Sequence, residues 1–79
     1  MTSREAALVE HVAKALVDDP AAVVVTEEQD GDFLKLHLQV GEADVGKVIG
    51  RGGRIAKAIR ALVKVMATRS GSKVNLEID

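Results

Sequence analysis

The chain reads as an α+β domain in the order α-β-β-α-α-β, with a three-stranded mixed sheet covered on one face by three helices. Three observations carry this reading. Leu34, Leu36, Leu38 and Val40 alternate with Lys35, His37 and Gln39, the pattern of a half-buried strand. An apolar repeat of helical period runs from Arg54 to about Thr68. Asp30-Gly31, a favoured pair for a two-residue hairpin turn, separates two strand-like runs. With 79 residues, the chain is expected to form one small domain over 1–79.

The elements follow in order. Thr2 and Glu5 have the spacing of a capping box ahead of a helix from residue 3 to about 18, with Leu8, Val12 and Leu16 facing inward. Asp18, Asp19 and Pro20 end it, because the residue before a proline avoids helical geometry. The β-branched run within 22–28 predicts a first strand, and Phe33 to Val40 a second. After Gly41, residues 42–49 are long enough for about two helical turns, with Val45, Val48 and Ile49 as the buried corner. The glycine cluster Gly50-Arg51-Gly52-Gly53 interrupts before the longest helix. There Ile55, Ile59, Leu62, Val63 and Met66 share one arc, opposite Arg54, Lys57, Arg60 and Lys64. Ser70-Gly71 stops that helix, and Val74, Leu76 and Ile78 alternate as a third strand. Two helices between the second and third strands make a crossover long enough for parallel pairing, right-handed in sense.

Composition narrows the function. No cysteine is present, so neither a disulfide framework nor a thiolate metal site is available. No secretory signal and no apolar run of about 18 residues appears, and a cytoplasmic protein without membrane contact is expected. The net charge of −1 conceals a segregation. Residues 1–44 carry three basic and ten acidic side chains, whereas 45–76 carry eight basic ones and no acid. A basic half of this kind is the footprint of an anionic partner.

Catalytic chemistry finds no support. The stretch Gly41 to Lys47 fits G-x-x-x-x-G-K, but Val48 stands where a phosphate-binding loop needs the hydroxyl that holds magnesium. His11 and His37 have no ligand-spaced companions, Ser70 and Ser72 flank a helix stop with no base nearby, and no cofactor or metal is expected. What remains is Val48 to Arg54. Three glycines in four residues allow positive φ and close approach of a ligand to the backbone. The following helix offers unpaired N–H groups and the positive end of its dipole. Lys47, Arg51, Arg54 and Lys57 add full charges around the loop. A sugar-phosphate backbone could be held there.

Ile49-Gly50-Arg51-Gly52-Gly53 matches the I-G-x-x-G signature of KH domains, which clamp about four nucleotides of single-stranded RNA. The whole chain resembles the type II arrangement of that fold. The stretch VGKVIGRGGRIAKAIR, residues 45–60, is similar to the small bacterial single-KH RNA-binding proteins of the KhpA (YlqC) family. One departure is Ala56, where the wider KH pattern has a larger apolar residue; Ile55 and Ile59 are expected to supply the packing. The resemblance implies a binder of single-stranded RNA, acting as an RNA chaperone or post-transcriptional regulator. Its site would comprise Lys47, Ile49, Gly50, Arg51, Gly52, Gly53, Arg54 and Lys57. Bases would lie over an apolar strip from Val45 and Ile49 to the sheet edge near Leu38 and Val40. With one aromatic residue in the chain, such contacts are shallow, so binding is expected to be weak and little sequence-dependent. The resemblance also implies pairing with a larger KH-containing protein of the KhpB/Jag type, with a weak homodimer as a further expectation. Two rival readings stand beside it. One is a protein-interaction module; the other is a helix-turn-helix DNA binder, for which a turn with three glycines is loose.

Overall fold

The computed structural model describes residues 3–78. Helix α1 (Arg4–Leu16) leads into strand β1 (Val24–Asp30) and β2 (Phe33–Gln39), followed by helices α2 (Val45–Ile49) and α3 (Arg54–Arg69) and strand β3 (Lys73–Ile78). Single 3₁₀ turns lie at Pro20–Ala22, Glu42–Asp44 and Arg51–Gly53. The sheet order is β1-β2-β3, with β1 antiparallel and β3 parallel to β2. Fold class, element order and strand directions therefore agree with the sequence reading.

Local chemistry moves several boundaries. Ser3 caps α1, its hydroxyl accepting the Ala6 N–H at 3.0 Å. The capping box at Thr2 falls outside the described residues. Helix α1 stops at Leu16, two residues short of expectation, and Val17 is already extended. The hairpin register pairs Asp30 with Phe33, so the two turn residues are Gly31 and Asp32 rather than Asp30 and Gly31. Positive φ falls on Gly31 alone of these, which places glycine first in the turn. The second helical segment is one 3₁₀ turn followed by one short α-helix, since Asp44 breaks the geometry between them.

The core lies between α1, α3 and the inner face of the sheet. Leu36 and Leu38 of β2, Val9 of α1, Val48 of α2 and Val63 of α3 are its largest fully buried side chains. Both long helices turn a different stripe inward than their large side chains suggest. In α1 the buried positions are Glu5, Ala6, Val9 and Ala13, while Leu8, Val12 and Leu16 lie half-buried at the flank. In α3 they are Ala56, Ile59, Val63 and Ala67, and Leu62 is 52% exposed. Alanines therefore hold two of the four buried positions in each helix. At about 100° per residue, Leu62 then lies roughly 100° from the centre of the buried arc.

Expectation separates the two isoleucine-sized positions of α3. Ile59→Ala should cost roughly 2–5 kcal/mol because it opens a cavity in an enclosed site. Leu62→Ala should change stability by no more than about 0.5 kcal/mol, as surface substitutions do. Urea unfolding of both variants measures this, and equal losses would contradict the assigned helix face.

Candidate nucleic-acid interface

The site grows from the way α2 ends. Gly50 donates its N–H to Gly46 O at 2.9 Å, closing the helix, and then turns away at φ 76°, ψ 172°. A Cβ built on Gly50 would lie 2.7 Å from Ile55 Cγ1 and 3.0 Å from its Cβ. The loop backbone therefore rests directly on a stiff β-branched side chain, and only glycine fits beneath it. Gly53 N–H reaches Gly50 O at 3.1 Å and Arg54 N–H reaches Arg51 O, folding residues 51–53 into one tight turn. Gly52 and Gly53 both take left-handed geometry, at φ 64° and 75°. Space around these two is open, so their glycines answer to conformation and not to crowding. Arg51, the loop's one residue with a side chain, occupies its one position without positive φ.

The consequence is an uncovered stretch of main chain. Among the described residues, neither Arg51 N–H nor Gly52 N–H has a hydrogen-bond acceptor, and no side chain caps the start of α3. Arg51, Arg54 and Lys57 are exposed and engage no acceptor among the described residues. Ile49 is half-buried behind the loop, packed against the core. Ala56 is buried, with Ile59 inward and Ile55 under Gly50, so the isoleucines supply the packing as expected.

Lys47 is placed differently from the other cations. Its ammonium donates to Asp18 Oδ2 at 2.6 Å and to Asp44 Oδ1 at 2.9 Å. The hydrogen bond to Asp18, and after it the one to Asp44, holds the Lys47 ammonium above its ordinary range. Its bond with Lys47 in turn draws the Asp44 carboxyl below the usual carboxylate value, against the effect of burial.

Of the expected apolar strip, Val45 and Ile49 are half-buried, but the part assigned to a sheet edge does not hold. β2 is the central strand, so Leu38 is fully buried and cannot edge a groove; Val40 packs against the core as well. The sheet edge beside α3 belongs to β3. Between them runs an open groove of about 630 Å³ whose walls include Arg60, Lys64, Ala67, Val74 and Leu76. Arg60 Nε donates to Leu76 O at 3.2 Å, bracing the helix against the strand edge. Phe33 closes the far end, with Lys73 Nζ 5.5 Å from its ring centroid. Sequence reading missed Arg60 as a groove residue because its strand partner is distant in the chain. The Asp44-x-x-Lys47 spacing was the available sign that Lys47 has a carboxylate partner.

A G-x-x-G loop between two helices, on a parallel β2–β3 pair with an α-β hairpin unit ahead of it, defines a KH domain of the type II order. Residues 6–78 match the family model described as the KhpA/KhpB KH domain. RNA-binding protein KhpA of Halalkalibacterium halodurans is 51% identical over 71 residues, covering 90% of this chain and 93% of that one. The protein of the same name in Treponema pallidum is 44% identical over 78 residues, covering 99% and 98%. Among solved structures, Aquifex aeolicus Era with GDP·AlF4⁻ superposes with a TM-score of 0.65 at 23% identity. That match covers 94% of this chain and 29% of Era, and shows likeness of fold. The chain belongs to the KhpA/KhpB KH-domain family.

The loop geometry ranks its glycines. Gly52→Ala should cost about 1–2 kcal/mol, the strain of a left-handed residue in open space. Gly50→Ala should cost more, because the strain is joined by the clash with Ile55. Chemical denaturation of the two variants decides; a smaller loss for Gly50→Ala would contradict the seating of the loop on Ile55.

Proposed function

We propose that this protein binds single-stranded RNA, with the sugar-phosphate backbone against Gly50, Arg51, Gly52 and Gly53. The observation that carries the reading is the loop itself: three positive-φ glycines with, among the described residues, two N–H groups without acceptors and three unengaged cations beside them. Main-chain donors and a helix N-terminus favour an anion, and Arg51, Arg54 and Lys57 add charge at the same end of α3. Ile49 backs the loop from its apolar side, and the bases continue along the groove between α3 and β3, where Arg60 and Lys64 stand. The names of the relatives, RNA-binding protein KhpA, support the same ligand. A groove with a single aromatic residue, at its far end, provides little stacking, so binding is weak and tolerant of sequence. Such a protein acts as an RNA chaperone or post-transcriptional regulator, and its place is the cytoplasm. Among the described residues no helix is long and apolar enough to cross a membrane.

A second role is favoured by the outer face of α3. Leu62 and Val65, 52% and 57% exposed, stand one turn apart among Lys64 and Arg69. Pairing with a larger KH-containing protein of the KhpB/Jag type would cover them. Leu62→Asp should then abolish co-purification with such a partner and leave RNA affinity unchanged; retained pairing counts against this face.

The RNA reading is tested by replacing Arg51 and Gly52 together with Asp, which sets two negative charges against the phosphates at a solvent-facing turn. Fluorescence anisotropy with a short labelled RNA should show binding lost while circular dichroism shows the fold retained. Unchanged affinity would reject the phosphate clamp. Tighter binding of duplex DNA than of single-stranded RNA at equal salt would favour the helix-turn-helix alternative.

A further inference from the structure

Lys47 sits three residues before the loop glycines, inside the basic segment, yet its charge is already spent on acid. Asp44 is the more demanding of its two partners. It is 3% exposed, and its second oxygen accepts the Asp19 N–H at 3.1 Å. Asp18 and Asp19 belong to the connection between α1 and β1, whereas Asp44 and Lys47 open the segment that ends in Gly50. Four residues thus tie two distant stretches of chain into one junction.

The junction matters because of what it holds. Helix α2 has five residues, little more than one turn, and a helix that short has no stability of its own. Its C-terminal bond, Gly50 N–H to Gly46 O, makes the course of the loop follow the orientation of α2. Val48 anchors one side of α2 in the core, and the Lys47 clamp fixes the other. Drawing Lys47 away toward a phosphate would leave the buried Asp44 carboxylate without its cation, which is the costly way to break such a pair. The raised Lys47 and lowered Asp44 proton affinities agree with a clamp that stays charged on both sides.

We propose that Lys47 is a positioning residue, locked between Asp18 and Asp44 so as to hold α2 and the Gly50–Gly53 loop in place, and that it makes no phosphate contact of its own. Its effect on RNA rests on the RNA-binding reading above; its effect on loop geometry does not.

The test compares Lys47→Met and Lys47→Arg with the unaltered full chain. Affinity for a pool of fluorescein-labelled, random-sequence, short single-stranded RNA is measured across a salt series. The amide signals of Gly50, Gly52 and Gly53 are recorded by NMR without RNA. Lys47→Met should weaken binding by roughly three- to tenfold, leave the log–log salt slope unchanged and shift the three glycine amides; Lys47→Arg should restore all of these. A slope shallower by about 0.7 would mean that one phosphate contact has been lost, and would overturn the proposal. Unmoved glycine amides would overturn it too, including where the melting temperature alone has fallen. If the unaltered protein binds no RNA, the functional reading fails while the amide shifts still decide the positioning role. Should Lys47→Met not fold, Asp18→Asn removes only the exposed half of the clamp and is read by the same signals.

Discussion

The contact on which the rest of the site depends is that of Gly50 with Ile55. A peptide backbone lies against a branched side chain with no room for a Cβ between them. Ile55 belongs to the first turn of α3, whose next residues, Ala56 and Ile59, are in the core. Through that one contact the loop takes its position from a helix whose inner face lies in the core. The two glycines that follow serve a different need. They adopt left-handed geometry in open space, and so present bare main chain to solvent where side chains would screen it.

Electrostatics act on the same scheme at longer range. Net charge near zero would suggest indifference to nucleic acid, but the acids and bases are sorted along the chain. The fold gathers Arg51, Arg54 and Lys57 at one end of α3 and leads Arg60 and Lys64 down the groove beside β3. Lys47 is the exception within the basic segment, because the fold brings it against the acidic half, at Asp18 and Asp44. One surface is thereby built from cations that have no carboxylate partner among the described residues, and one internal junction from a cation that has two.

Much of this was legible in the residues alone, and the reasons are specific. Alternation through Leu34, Leu36 and Leu38 identifies β2 and its inner face, since side chains on a strand repeat every second residue. Two helices between β2 and β3 dictate parallel pairing. The loop glycines stand out by number, and all but their contact with Ile55 follows from backbone freedom. What was not legible depended on packing across the chain. Counting large side chains turned α1 and α3 toward Leu8 and Leu62, whereas the buried stripes run through Ala6 and Ala13 and through Ala56 and Ala67. Leu38 was expected beside the groove because the packing of α3 along the β3 edge is a tertiary fact. The partners of Lys47 are 29 and three residues away, and only the nearer one leaves a trace in spacing.

The most direct test of the phosphate clamp is a map of backbone amide shifts as single-stranded RNA is titrated into the isotopically labelled protein. The largest changes should fall on Arg51, Gly52, Gly53 and Arg54, with smaller ones following α3 and β3 along the groove through Arg60 and Leu76. Changes confined to the open sheet face around Lys35 and His37, or to the Leu62 and Val65 face of α3, with the glycine amides still, would contradict it.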